Sequence, residues 1–260
     1  MPVNCKNMNN LTFKDIIKEE NELILNAEKK YDTYFKNAAN FNCLLQDFIK
    51  SVDPDRWIFI VFLSQIRKHH TLALFSTVRQ HYVQACMDLR QVIEAGINAA
   101  YGIACSDEKD FMIKTEENII QTPKKLFKKR YKWLEKNYIT QSNFLKNQKE
   151  IINRSISHSN IVYAFINFDN SKLKKNKYLL SFFDKEDDYR VKTNLWFIGN
   201  LALGLMDLFF GINKDYSHIK FSNDFIDRLK KLEEENKRLK TEIMKNPRYV
   251  RAIALKKKTI

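Results

Sequence analysis

Glycine occurs five times and proline four times in 260 residues, and this scarcity constrains the fold more than any other feature of the chain. A sheet protein reverses direction at short intervals and places Gly, Pro, Asn or Asp at its reversals. A chain this poor in Gly and Pro makes few reversals, so its elements are long, and long elements are helices. Hydrophobic residues make up 44% and aromatic residues 13%, enough to build a core and to exclude wholesale disorder. The expectation is an all-α bundle of long antiparallel helices with no sheet of three or more strands.

The segments follow from local signals. Thr12, with Asp15 three residues on, opens a helix expected to run to about residue 50. Asp53 caps a second start, with Pro54 at the first helical position, where its missing N–H does no harm. The apolar run to about residue 104 reads as one very long helix or as two with a joint near His69 and His70. After a connecting region at 106–123, a helix begins past Pro123 and ends near Asn137, and Ser142 is expected to cap another over 143–168. A further helix over 188–211 starts with acidic residues, favourable at its positive end. Residues 195–212 are just long enough to span a membrane. Asn200 and Asp207 would be costly at that depth, so a central core helix is expected and membrane insertion is not.

The tail carries a heptad stripe. Leu229, Leu232, Asn236, Leu239 and Ile243 follow one another at spacings of three and four, with Asn236 at an a position. A lone Asn there commonly sets the register of a parallel dimer, and Arg228 facing Glu233 and Glu235 facing Lys240 would pair opposite charges across it. The organisation expected is a helical bundle over 1–218 and a heptad helix with a basic tail over 219–260, joined as a homodimer.

The formal charge is +14 and the pI about 9.5. That is either an electrostatic footprint for an anionic partner or a consequence of AT-rich coding. Lysines cluster in "KKLFKKRYK" and "KLKKNK", so Lys124, Lys125, Lys128, Lys129, Arg130, Lys174 and Lys175 are the candidate phosphate contacts. Four scattered cysteines (Cys5, Cys43, Cys86, Cys105) without CxxC spacing read as reduced thiols, and the N-terminal decapeptide lacks the apolar core of a signal peptide. A cytoplasmic location is expected. No Gly-rich phosphate loop, HExxH, GxSxG or paired Cys/His spacing is present, so no metal or cofactor is expected.

Two polar constellations interrupt the apolar segments. Arg90, Glu94, His81 and Asp88, with Gln84 and Gln91, form neighbouring stripes on one helix, read as a buried structural network in which Glu94 pairs with Arg90. The second is "NRSISHSN", where Arg154 and His158 lie four apart on one helical face and Asn153 and Ser157 form a row beside them. A histidine that titrates near neutrality beside an anion-binding arginine suits metal-free RNA cleavage: His158 would move a 2′-hydroxyl proton and Arg154 would stabilise phosphate charge. The bland alternative is a hydrogen-bonded helix contact.

With long helices, an Arg/His patch on a late helix and a dimerising tail, residues 55–210 resemble the HEPN superfamily. The resemblance implies an RNA-engaging helical dimer, with metal-independent RNA cleavage in a toxin or phage-defence setting as its sharpest form. Three residues separate Arg154 from His158, where that family's motif has four to six. The alternative, from a different class, is a non-catalytic helical scaffold that binds a protein partner.

Overall fold

A computed structural model describes residues 12–156, 168–169, 179–180, 182–184 and 187–258. The architecture is an all-α bundle. The first helix pair is α1 (Phe13–Leu25) and α2 (Ala27–Asp47). Thr12 and Asp15 close a reciprocal cap, Asp15 N–H donating to Thr12 Oγ1 at 3.2 Å and Thr12 N–H to Asp15 Oδ2 at 2.9 Å. The single helix expected here is broken at Asn26, whose side-chain Nδ2 and backbone N–H both donate to the Glu22 carbonyl and so terminate α1.

The long apolar run is a hairpin of α3 (Trp57–Val78) and α4 (Tyr82–Ala104), the most extensively packed pair in the molecule. Its joint lies at residues 79–81 rather than near His69 and His70, and Gln80 makes the reversal at φ 62°. His70 is instead buried inside α3. Among the described residues no glycine has a positive φ; Asp32, Gln80, Asn118 and Ser217 take those positions, Asp32 as a kink inside α2. The glycines lie in helices, and all but Gly211 permit close approach. A Cβ at Gly102 would come within 3.1 Å of the Phe59 backbone nitrogen, and one at Gly204 within 2.1 Å of the Phe144 ring.

α5 (Lys124–Asn137) and α6 (Ile139–Ile156) follow, linked through Tyr138. Ser142 is not the cap of α6; it is buried inside the first turn, where its N–H donates to the Tyr138 carbonyl. α7 (Asp188–Tyr216) is capped by Asp187 and closed by Ser217 in the left-handed conformation. Its most apolar stretch is long enough to cross a membrane, yet 56% of it is buried by neighbouring helices. Asn200 and Asp207 bond to Asn236 and Gln141. The strand β1 (Ile49–Val52) pairs antiparallel with the short strand Ile219–Phe221, and three-residue or longer ladders are otherwise absent among the described residues.

α8 (Phe225–Lys245) lays the apolar stripe of the tail on its own chain. Asn236, Leu239 and Ile243 are buried, Leu229 and Leu232 are half-buried, and all pack on the core of their own chain against α2 and α7. Asn236 bonds to Asn37 and Asn200 of its own chain. The flanking charges are also satisfied locally: Arg228 by Asp47 and Asp224, Glu233 by Lys237, Glu235 by Arg238. Residues 219–245 therefore share one core with the preceding helices, with Phe225 against Phe48 and Phe221, and do not form a separate unit. Pro247 opens α9 (Pro247–Lys258), where its ring suits the first turn.

Candidate nucleic-acid interface

α5 is built from strong helix formers, and its two faces differ sharply. Arg130 and Leu134, one turn apart, are buried against the bundle, with Phe127, Tyr131 and Trp133 half-buried beside them. Lys124, Lys128, Lys132 and Lys136 are spaced by four residues on the outer side, and Lys125 and Lys129 lie next to them, all exposed. Four residues of helix rise about 6 Å, so the row runs the length of α5. Lys124, Lys125, Lys128, Lys132 and Lys136 form no ion pair among the described residues, and Glu135 is the one carboxylate on the helix. A shallow groove lined by Lys128, Lys132 and Glu135 exposes part of Phe127 and Tyr131, whose ring centroids are 4.8 Å apart.

Two of the basic residues assigned to phosphate contact serve another purpose. Arg130 is 1% exposed. Its Nε donates to Asn98 Oδ1 at 2.7 Å and one terminal nitrogen to the Asp110 carbonyl at 2.5 Å, with the guanidinium 5.1 Å from the Phe111 ring. Burial lowers its pKa, opposed by Tyr101 and Asp110. Lys129 donates to Asp110 Oδ1 at 2.5 Å, while Tyr101 Oη donates to Asp110 Oδ2 at 2.6 Å and the Cys105 thiol reaches the same oxygen. Desolvation pushes the Asp110 carboxyl up, but the bonds from Lys129, Tyr101 and Cys105 outweigh it and hold the group ionised below its ordinary pKa. This cluster ties α4, α5 and the segment before β2 (Ile113–Lys114) together. It is a structural knot under the lysine face, and its central residue Asp110 gave no spacing signal in the sequence.

The Arg/His patch is only partly in view. Asn153 and Arg154 occupy the last turns of α6; Arg154 is exposed, with a terminal nitrogen 3.8 Å from Glu150, and Asn153 Oδ1 is buried without a hydrogen-bond partner among the described residues. Ser157, His158, Lys174 and Lys175 lie outside the described residues.

The expected network on α4 divides into three. Glu94 accepts from Arg90 at 3.3 Å and faces Lys149 of α6 at 2.9 Å, and Lys149 reaches Tyr131 at 3.1 Å. Both Arg90 and Glu94 retain solvent contact, so the pair is not buried as expected. Asp88 is buried and bonds to His69 at 2.8 Å and Gln84 at 3.1 Å. His81 bonds to Glu20 of α1 and stacks on Phe183. The missed partners Lys149, His69 and Glu20 come from other helices, beyond the reach of helical spacing. A fourth polar group joins Asp53, Asp55 and His218 with the geometry of cation ligands, but Arg56 points its guanidinium at His218 Nε2, 2.7 Å away, and supplies the positive charge.

No family model, curated protein or solved structure matches this chain.

Proposed function

We propose that this protein binds RNA along the lysine face of α5. The reading rests on one observation: Lys124, Lys125, Lys128, Lys132 and Lys136 form an exposed row without carboxylate partners, interleaved with Phe127 and Tyr131. Unpaired surface cations release counterions when they meet a phosphate backbone, and half-exposed rings beside them offer stacking surface to unpaired bases. A merely solvated face would be expected to mix signs, as α8 does with its Lys237–Glu233 and Arg238–Glu235 pairs. RNA engagement is also what the HEPN-like resemblance implies, and cleavage by Arg154 and His158 is its more specific form.

The test is a titration of a fluorescent single-stranded RNA with wild-type protein and with Lys124→Ala/Lys125→Ala/Lys128→Ala. Loss of binding in the triple variant at unchanged melting temperature supports the reading; equal affinity overturns it. The same mixtures resolved on a denaturing gel score cleavage. Products that appear with wild type and vanish with His158→Ala assign chemistry to the patch.

A second reading, a scaffold for a protein partner, is favoured by Trp57, Ile60 and Val61, which share one face of α3 and remain 42%, 42% and 44% exposed.

A further inference from the structure

Glu135 is out of keeping with its surroundings. α5 carries six lysines and one arginine over 14 residues, and Glu135 is its only carboxylate. It is exposed and forms no ion pair among the described residues, although Lys132 stands three residues before it and Lys136 directly after. A carboxylate beside a row of phosphate contacts repels any strand laid along that row. The repulsion is offset where the carboxylate itself accepts hydrogen bonds from the strand.

The neighbouring rings are held from behind. Phe127, Tyr131 and Glu135 follow at intervals of four on one side of the helix, and all three line one open groove with Lys128 and Lys132. Lys149 of α6 donates to Tyr131 Oη at 3.1 Å, and its ammonium lies 5.3 Å from the Tyr131 centroid and 5.6 Å from that of Phe127. The Arg130 guanidinium lies 5.8 Å from the Phe127 centroid. These contacts orient the two rings before any ligand arrives, which lowers the entropy lost on binding. The ring planes meet at 59°, so the pair forms an angled seat for one base and not a flat platform for two.

The order of groups along the groove restricts that base. A carboxylate only accepts, and it does so through two oxygens. On the Watson–Crick edge only guanine presents two N–H groups side by side, N1–H and N2–H. Cytosine and adenine offer one amino group next to an acceptor nitrogen, and uracil offers one N–H between two carbonyls; those acceptors face the carboxylate unfavourably. The four residues from Tyr131 to Glu135 rise about 6 Å, which a base seated on Tyr131 spans with its edge and one hydrogen bond of about 3 Å. We propose that this groove takes one unpaired guanine of an RNA strand. The base stacks on Phe127 and Tyr131, sets its Watson–Crick edge on Glu135, and leaves the flanking phosphates to Lys128 and Lys132. The inference rests on the reading of α5 as an RNA face and names the base that face selects.

The experiment is a fluorescence-anisotropy titration of the full chain with three labelled pentanucleotides: UUGUU, UUUUU, and UUGUU with inosine in place of guanosine, which lacks the N2 amino group. Wild type is expected to bind UUGUU about tenfold more tightly than UUUUU, the scale of one two-bond contact to a base edge, with the inosine strand between them. Glu135→Gln turns an amide donor toward guanine and should weaken UUGUU about tenfold, while UUUUU holds or tightens as the repulsion is removed. Because Glu135 is exposed, its melting temperature should not change. Equal wild-type affinity for all three strands, or a Glu135→Gln effect common to all three, overturns the guanine inference and leaves the RNA face standing. Binding of none of them overturns both. Guanosine monophosphate that displaces UUGUU at equal concentration assigns the groove to a free nucleotide and overturns the strand as its occupant.

Discussion

Asn37 donates through its Nδ2 to Asn236 Oδ1 at 3.1 Å, joining two residues 199 positions apart inside one chain. Asn236 passes the bond on from its own Nδ2 to Asn200 Oδ1 at 3.2 Å, and its backbone carbonyl accepts from Trp196 Nε1 at 3.0 Å. The tail helix is thereby registered on α2 and α7 by the same kind of amide pairing that registers a coiled-coil dimer.

Asn236→Ala should therefore destabilise the fold of the single chain. It strands the buried Asn37 Nδ2 and the half-buried Asn200 Oδ1, and a buried group left unpaired costs about 1–3 kcal/mol, so a loss of about 2 kcal/mol is expected in urea denaturation. Because the bonds are intramolecular, the midpoint should not depend on protein concentration, whereas a seam between two chains would make it do so. A concentration-dependent midpoint would return the seam to a dimer.

Arg130 and Lys128 are neighbours in sequence and should behave oppositely. Arg130→Ala removes a guanidinium packed between Phe111 and Phe127 and leaves Asn98 Oδ1 unpaired, so a loss of about 2–4 kcal/mol is expected. Lys128→Ala touches no partner and should stay within about 0.5 kcal/mol of wild type. Parallel thermal melts decide it, and equal losses would contradict the burial of Arg130.

Part of this contrast was legible in the sequence. Arg130 stands four residues from both Leu126 and Leu134, the apolar side of α5, while Lys124, Lys128 and Lys132 share a phase of their own. Reading the basic run as a block concealed that phase. The helices themselves were visible because apolar periodicity and scarce glycine are local signals. The covering of the heptad stripe was not: a recurring apolar face says that something packs there, and whether Asn236 meets its twin or Asn37 depends on the path of the chain. The same limit applies to Asp110 and Lys149, whose roles exist only once distant helices meet. The α3–α4 joint was missed for another reason: the chain reverses at Gln80, a residue carrying no turn preference.

His70 makes stability depend on pH. Its Nε2–H donates to the Ile198 carbonyl at 3.2 Å and its Nδ1 accepts from Asn42 at 2.9 Å, so both ring nitrogens are engaged as a neutral imidazole. Complete burial lowers its pKa from 6.5 to about 4. Between these values the unfolded chain binds the proton and the folded one does not, so stability falls as pH drops through the window, by about 3 kcal/mol once pH 4 is reached. Urea midpoints from pH 7 to pH 4 should show this decline in wild type, and a shallower one in His70→Gln. Identical slopes for the two proteins would mean that other groups set the acid limit.

The lysine face should announce itself in the salt dependence of binding. For single-stranded RNA the logarithm of affinity falls against the logarithm of salt with a slope of about −0.7 per phosphate engaged. Lys124, Lys125, Lys128, Lys132 and Lys136 acting together give a slope of about −3.5, and removing the first three reduces its magnitude by about 2. A chain of charge +14 also attracts RNA without any particular face, so a control is needed. Lys230, Lys231 and Lys245 on α8 are exposed and form no ion pair among the described residues. Their replacement by Ala removes the same net charge from another helix. If the interface is α5, the control retains a slope close to wild type and loses little affinity. If both triple variants flatten the slope equally, the protein's general positive field holds the strand, and α5 is no more than part of it.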